Sequence, residues 1–503
     1  MQVLSPMMTP LDQSPEEIAA LGAQAPPAVA ALVFALLERL AAQEQVIVDQ
    51  AQTIATLTAR IQDLEDQVSR TSRTSHQPPA SDGFKKQPRS LRERSGKPPG
   101  GQPGHPGQTL TFTDHPDQIV LHRPSHCADC GAPLDNVPAA ARQRRQVVDL
   151  PPLQLVTTEH QVETICCPHC QAGTRGQFPP EAAEPLQYGP RVQALAVYLR
   201  TYQLLPSART QELFADLFGT APSEGTLANI LTNAATRLAP VVERIRAALT
   251  QVPVAHFDET GCYVEDKRYW LHVACTVALT YYYVHAKRGK TGSKAAGVLP
   301  GFGGIAVHDG YASYWEYECG HALCNAHLLR ELLFEVERYG QRWAQELADL
   351  LRAMLAATNA AREAEAVAVP VEQVAEFARQ YHALVAAGLA ANPVVARPAE
   401  QERGRGKQSA ATNLLLRLGD HAEEVLRFLH DLRVPFDNNQ AERDIRMMKV
   451  QQKISGRFRT YAGATEFCQI RSYISTLRKQ GQHVFLALEQ VCRGVPILPD
   501  LTT

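Results

Sequence analysis

Three acidic residues lie in sequence contexts where a carboxylate could hold a divalent metal ion. Asp258 and Asp309 each follow an apolar segment that predicts a buried strand. Because side chains alternate across a strand, Asp258 shares a face with His256, and Asp309 shares one with Val307. A single strand-end aspartate is usually a turn former, but two on adjacent strands can share a magnesium ion, which prefers carboxylate oxygens, water and phosphate.

The third acid, Glu442, lies in a predicted helix that carries several cations. Asp437, followed three residues later by Gln440, has a capping-box pattern, so we interpret Asp437 as the helix cap. The polar residues at helical spacing on the face of Glu442 are Asn438, Arg446, Lys449 and Lys453. This pattern suits a metal ligand flanked by phosphate contacts, but the pattern alone favours a solvated charged helix.

Two Cys-x-x-Cys pairs predict a separate metal site. Their members are Cys127, Cys130, Cys167 and Cys170. Four thiolates can close a tetrahedral zinc site, with strands over 147–155 and 155–165 connecting the pairs. Redox-active dithiols are the alternative, which two pairs bracketing short strands disfavour. We therefore expect one structural zinc ion in a module over residues 111–178, where Cys166 adjoins a ligand.

A heptad repeat occupies the region from residue 30 to residue 69. The apolar positions seven residues apart are Val33, Leu40, Ile47, Ile54, Ile61 and Val68. Neither glycine nor proline interrupts them. The strict period predicts a coiled coil that makes the protein a dimer or higher oligomer through residues 33–68. The alternative is an amphipathic helix packed on its own chain. Residues 1–29 are expected to be disordered.

Residues 70–110 have a different composition, rich in glycine, proline and serine. Eight lysines and arginines stand against two acids between residues 70 and 108. Such a segment cannot bury a core. A basic flexible arm binds DNA phosphates through counterion release, but composition alone does not separate this role from that of a solvated linker.

The overall composition limits the class of protein. Fifty lysines and arginines against 52 acids give a formal net charge of -2, so any DNA-binding surface must be local. The apolar run 28–37 is too short to span a bilayer and follows acidic residues rather than a basic region. We expect a cytoplasmic protein whose 11 cysteines form no disulfide scaffold.

The elements that must position the acids form an α/β pattern. The predicted strands are 252–258, 270–277, 279–285 and 303–310. A helical domain over 185–250 precedes them, with helices 207–218 and 223–238 in the outline of a helix-turn-helix. Few cations lie near the start of its second helix, so packing on the next domain is the favoured role. A helical insertion over about 340–430 separates Asp309 from Glu442. The helices predicted between residues 320 and 435 are 326–339, 341–366, 371–391 and 410–432.

The chain resembles the insertion sequence 66 family of bacterial transposases. The resemblance rests on His256-Phe257-Asp258-Glu259-Thr260, Val307-His308-Asp309-Gly310-Tyr311 and Asn438-Asn439-Gln440-Ala441-Glu442-Arg443-Asp444-Ile445-Arg446. The basic Gly-Gln-Pro-Gly-His arm, the cysteine pairs and the coiled coil follow the family's order. The similarity extends from about residue 30 to residue 495.

The resemblance implies a ribonuclease H-like catalytic domain over 251–480, with a C-terminal segment over 481–503. It implies a DDE triad of Asp258, Asp309 and Glu442. Two magnesium or manganese ions in that site would serve phosphoryl transfer on DNA. Cys324-Asn325-Ala326-His327 resembles a Cys-x-x-His element of several DDE groups, which places His327 near the active site without a defined role.

The expected partners are DNA, at transposon ends and target, and accessory proteins of the same element, with the protein associated with the nucleoid. The residues expected to bind the DNA backbone are Arg443, Arg446, Lys449 and Lys453. A metal-dependent nuclease that never joins strands is one alternative function. A zinc-bearing DNA-binding regulator is the other, and the presence of all three acids disfavours it.

Overall fold

The computed structural model describes residues 14–70, 74, 109–395 and 408–502. The chain divides into two compact units, residues 1–91 and 92–503. The first 13 residues, nearly all of the predicted basic arm and the basic loop 397–407 lie outside the described residues. No helix of the described ranges is long and apolar enough to cross a membrane.

The first unit contains a short helix and a long one. Helix α1 (Pro15–Gly22) begins at a capping box in which Ser14 and Glu17 bond each other's backbone. Helix α2 (Pro27–Ser69) runs without a break for 43 residues, which confirms that the heptads lie on one helix. Its heptad residues remain on the surface of the single chain, since Ile47 is 64% exposed and Ile54 63%. The coiled coil itself stays a prediction.

Little regular structure is present in the cysteine-rich module. Strands β1 (Thr164–Cys166) and β2 (Gly173–Arg175) form a hairpin around the second cysteine pair. The strands predicted over 147–155 and 155–165 were wrong except for the last two residues, since 147–163 contain no strand. Pro151 and Pro152 lack the N–H group that a strand ladder needs, which explains the break.

A five-stranded mixed sheet is the centre of the second unit. Its strands are β3 (Val254–Val264), β4 (Lys267–Cys275), β5 (Thr280–His285), β6 (Ile305–His308) and β7 (Gly320–Leu323), in the order β5-β4-β3-β6-β7. The β3–β4 and β4–β5 pairs are antiparallel, and the β3–β6 and β6–β7 pairs are parallel. Asp258 lies inside β3 rather than at its end, because the outer half of β3 continues as a hairpin with β4.

Helices that precede the sheet, follow it or lie between β5 and β6 form a core against one of its faces. They are α3 (Pro190–Val197), the π-helix Tyr198–Tyr202, α4 (Ser207–Phe218), α5 (Glu224–Leu249), α6 (Lys290–Ala296), α13 (Tyr461–Lys479) and α14 (Val484–Cys492). Ser223 caps α5 by accepting the Thr226 N–H at 3.1 Å. Leu227, Leu238 and Ile245 bury the inner side of α5 in this core, so the helix has the packing role that its sequence favoured.

The insertion forms a second core beside β6 and β7. Its helices are α7 (Asn325–Tyr339), α8 (Arg342–Glu363), α9 (Val371–Ala391), α10 (Ala410–Asp420) and α11 (Ala422–His430). The single helix predicted over 410–432 is divided at His421, whose φ of -118° and ψ of 31° leave the helical region. Helix α12 (Asn439–Ser455) then returns to β3 and β4 with Glu442 in its first turn.

Candidate active site

The sheet register aligns the two candidate aspartates. His256 pairs with Val307 in the parallel β3–β6 ladder, so the same offset places Asp258 level with Asp309 just beyond the ladder. His308 pairs with Leu323 in the β6–β7 ladder, which places Cys324 level with Asp309. Neighbouring strands lie about 4.8 Å apart, so Asp258, Asp309 and Cys324 form one row on one face of the sheet.

Asp258 lies in an unfavourable place for a negative charge. Burial raises the pKa of its carboxyl well above the usual value, and the charges of Glu259, Asp309 and Glu442 act in the same direction. One hydrogen bond, from the Glu259 N–H at 2.7 Å, partly opposes them. An ionised Asp258 therefore requires a nearby cation, which a divalent metal ion would supply.

Asp309 is exposed and follows β6 directly. Its Oδ1 accepts the Tyr311 N–H at 2.9 Å, which fixes the carboxylate at the start of a turn. Gly310 has a φ of +88°, and a side chain there would also meet Leu323, so glycine suits this turn.

Glu442 faces two side chains of α7, an imidazole and a guanidinium. Its Oε1 lies 3.6 Å from His327 Nε2 and 3.8 Å from Arg330 Nη2. These separations exceed hydrogen-bond length, and this buried oxygen has no hydrogen-bond donor among the described residues. His327 therefore lies next to the third acid, as the Cys-x-x-His resemblance implied.

Cys324 and His327 also lie within a single ion's reach of Glu442. The potential ligand atoms of these three residues all lie within 4.8 Å of one another. Within the described ranges no other set of three or more such residues is so close, so neither the three acids nor the four zinc cysteines reach this separation. Burial raises the pKa of Cys324 to about 12, which favours its neutral thiol.

Asn438 joins the start of α12 to the strands that carry the aspartates. It is 1% exposed. Its Nδ2 donates to the Phe257 carbonyl at 2.8 Å, its Oδ1 lies 2.8 Å from His256 Nδ1, and its backbone N–H donates to Cys324 Sγ at 3.1 Å. Since Nδ2 faces a carbonyl, Oδ1 must face His256, whose Nδ1 therefore carries the proton. The backbone carbonyl of Asn438 accepts the Glu442 N–H at 3.2 Å.

The acids on either side of Glu442 have structural partners. Asp444 Oδ2 lies 2.5 Å from Lys479 Nζ and accepts the Thr280 hydroxyl at 3.2 Å, which holds α12 against α13 and β5. Asp437 accepts the Asn439 N–H at 3.0 Å. The prediction that Asp437 is the helix cap was wrong by one residue, because α12 begins at Asn439 and Asn438 takes the cap position.

The cations expected to bind DNA lie on the outside of α12. Arg443, Arg446, Lys449 and Lys453 are all exposed. Arg443 donates to Gln440 at 2.8 Å, and Lys449 donates to the Gly261 carbonyl at 3.2 Å. They form a continuous positive stripe on the helix that carries Glu442.

The two cysteine pairs form matching knuckles. In the first, the Cys127 N–H bonds the Ala132 carbonyl at 2.9 Å, and in the second the Cys167 N–H bonds the Ala172 carbonyl at the same distance. The fifth residue of each turn, Gly131 or Gln171, has a positive φ. Backbone N–H groups within each knuckle lower the pKa of Cys127 and Cys167, which favours the thiolate that zinc binds.

Comparison with known families agrees with this geometry. The profile of the family described as Transposase IS66 family matches residues 185–466, which is more than half of the chain. The chain belongs to this transposase family. The zinc-finger binding domain of transposase IS66 matches residues 124–171 of this transposase, which include all four cysteines. A family of unknown function matches residues 23–111. No curated protein matches the chain.

Family membership confirms the resemblance and the transposase assignment, and it supports binding to DNA and a structural zinc ion. The sequence did not point to Arg330 or to the ion pair between Glu259 and Arg288, whose charged atoms lie 2.8 Å apart. The helical spacing from His327 to Arg330 could have indicated Arg330. Nothing in the local sequence joins Glu259 to Arg288, because that contact depends on the fold.

Proposed function

We propose that this transposase is a DDE enzyme that cuts and joins DNA strands. Asp258, Asp309 and Glu442 would hold two magnesium or manganese ions in a ribonuclease H-like domain. The observation that carries the proposal is the row of Asp258 and Asp309 at matched register in β3 and β6, with Glu442 on the helix that Asn438 ties to β3.

The topology of the sheet supports a ribonuclease H-like fold. Three antiparallel strands are followed by two parallel ones, and the order β5-β4-β3-β6-β7 places the longest strand at the centre. The first acid lies on that central strand and the second follows its parallel neighbour. The helical insertion enters after β7, so it enlarges the domain without separating the two aspartates.

The acids fit divalent metal ions on two grounds. The buried Oε1 of Glu442 has no hydrogen-bond donor among the described residues. Burial and neighbouring acids raise the pKa of Asp258. Bound metal ions would activate the attacking oxygen and stabilise the leaving oxygen of an in-line displacement. Cys324 is a poor ligand for magnesium, because magnesium prefers oxygen ligands and Cys324 offers the sulfur of a buried neutral thiol.

The remaining residues of the site position the DNA. Arg446, Lys449 and Lys453 would bind the backbone on either side of the scissile phosphate. His327 and Arg330 approach Glu442 from α7. The positive charge of Arg330 would limit the repulsion between the acids and a DNA phosphate.

The other modules fit a protein that joins two DNA ends. The exposed apolar stripe of α2 would pair two protomers, and the zinc module and the basic arm would add DNA contacts. We further propose that the protein acts on nucleoid DNA in the cytoplasm, with accessory proteins of the same element as partners.

Purified protein incubated with magnesium and DNA from the ends of its own element tests the proposal. Wild type should nick these ends and join them to a target plasmid. Asp258→Asn, Asp309→Asn and Glu442→Gln should bind DNA and lose both reactions. Asp437→Asn is the control, because the Asp437 carboxylate bonds Asn439 and lies outside the row of acids.

Cleavage without joining would indicate a nuclease of the same fold. Full activity of any triad variant would contradict the assignment of that residue. Binding that survives in all three variants would show that the losses come from chemistry rather than from unfolding.

A further inference from the structure

Four planar side chains form a ladder beside the candidate active site. The Arg268 guanidinium lies 4.5 Å from the ring centre of Trp270. The Arg288 guanidinium lies 5.1 Å from the same ring and 4.0 Å from the ring centre of Tyr311. Guanidinium planes and aromatic rings stack favourably. We call Arg268, Trp270, Arg288 and Tyr311 the stacking ladder.

The inner end of the stacking ladder is fixed next to the catalytic acids. Arg288 Nε lies 2.8 Å from Glu259 Oε1. Glu259 follows Asp258 in β3, so its side chain lies on the other face of the sheet from the Asp258 carboxylate. Tyr311 follows Asp309 by two residues and donates its N–H to the Asp309 carboxylate. The ladder therefore reaches the row of acids at the turn that follows β6, beside Asp309.

At its outer end the stacking ladder reaches the surface. Arg268 is exposed, whereas Trp270 and Tyr311 are partly buried. Gly261 pairs with Trp270 across the hairpin, and a side chain at Gly261 would come within 3.1 Å of Arg268 Nε. Glycine at this position lets the Arg268 guanidinium lie over the strand, close to the Trp270 ring.

The cationic stripe of α12 meets the stacking ladder at Gly261. Lys449 Nζ donates to the Gly261 carbonyl at 3.2 Å, and Gln452 Nε2 donates to it at 3.0 Å. Burial lowers the pKa of Lys449, and the nearby Arg268 cation lowers it further. Two cations held this close favour an anion between them, such as a DNA phosphate.

We propose that the stacking ladder binds unpaired bases of the DNA strand at the active site. The inference rests on the proposed function and names the form of DNA that the site takes. Bases in a duplex are already stacked on each other, so a planar surface adds contacts only to bases that have left the helix. Aromatic rings and guanidinium planes bind such bases by stacking, with little sequence preference. A surface for phosphates alone would need the charges without the rings.

Binding measurements in calcium, without cleavage, test the inference. The probes are a blunt duplex from the element's end and the same duplex with a five-nucleotide single-stranded tail. Wild type should bind the tailed probe more tightly. Arg268→Lys keeps the charge and loses the plane, so it should weaken tailed binding by roughly 5- to 150-fold and leave blunt binding unchanged. Arg457→Lys is the matched control, because Arg457 pairs with Asp266 at the tip of the same hairpin.

Tryptophan emission gives a second readout. Trp343 is buried and Trp315 stacks on His421, so quenching by the tailed probe should come from Trp270 and vanish in Trp270→Phe. The stacking proposal is overturned if Arg268→Lys binds both probes like wild type. It is also overturned if tailed and blunt binding weaken equally, because that result describes a phosphate contact. Cleavage by the wild-type protein is scored separately, so a failure of the proposed function is distinguishable.

Discussion

Two acids of α12 are expected to have different roles: Asp444 stabilises the fold, and Glu442 serves catalysis. Asp444→Asn removes the negative partner of Lys479, and both side chains are only 12–13% exposed. Glu442→Gln removes a charge whose neighbours, His327 and Arg330, lie at 3.6 and 3.8 Å, beyond hydrogen-bond length. We therefore expect the first substitution to destabilise the fold and the second to abolish DNA cleavage and strand transfer.

The loss of stability in Asp444→Asn depends on the hydrogen bonds that Lys479 retains in the variant. Leaving one member of a buried ion pair without its partner costs about 3–5 kcal/mol. Lys479 Nζ also donates to the carbonyls of Thr276 at 2.6 Å and Leu279 at 3.0 Å, which remain in the variant. The loss should therefore lie near the lower limit, about 3 kcal/mol in the free energy of unfolding. At the roughly 2–4 °C per kcal/mol that is typical of a domain of about 150–250 residues, this loss lowers Tm by roughly 6–12 °C.

Thermal unfolding and a cleavage assay below the lower Tm separate the two acids. Glu442→Gln should unfold within about 2 °C of wild type and fail to cut. The double variant Asp444→Asn/Lys479→Met should recover much of the lost stability, because it removes both charges of the pair. The reasoning is refuted if Asp444→Asn unfolds at the wild-type temperature, or if Glu442→Gln still cuts DNA at the wild-type rate.

Three further predictions concern zinc, assembly and the start of α12. Cys127→Ser should lower the zinc content, about one ion per wild-type chain, in elemental analysis; an unchanged content would contradict the assignment. Glutamates at Ile47 and Ile54 should shift the protein toward monomer in light scattering, and an unchanged mass would mean that α2 packs within its own chain. Asn438→Ala should raise the magnesium concentration for half-maximal cleavage about tenfold or more, with Asn439→Ala as control; equal values for both variants would exclude a positioning role.

Patterns within one element predicted much of this fold. The heptads marked a helix that the structure extends without a break from residue 27 to residue 69. Apolar runs marked β4, β5 and β6 to within three residues at each end. Such signals are local, because the period of apolar residues reflects the geometry of one element.

What sequence reasoning missed depends on contacts between distant segments. Strand β7 has only four residues and becomes recognisable through its pairing with β6. Asp258 was predicted at a strand end, because the sequence cannot show that β6 stops while β3 continues with β4. The partner of Asp444 lies 35 residues away, so the sequence could not identify Lys479.

The Cys-x-x-His element gains a physical explanation from the same contacts. Cys324 ends the row of Asp258 and Asp309, and its Sγ accepts the N–H of Asn438 at 3.1 Å. One turn later along α7, His327 approaches the carboxylate of Glu442. We infer that Cys324 and His327 both help to position the start of α12. A neutral thiol suits the contact between Cys324 and Asn438, because it accepts the Asn438 N–H without adding a fourth negative charge to the site. A serine hydroxyl could accept the same bond but is shorter, so its oxygen would lie farther from the Asn438 N–H unless α12, and Glu442 with it, moved toward β7.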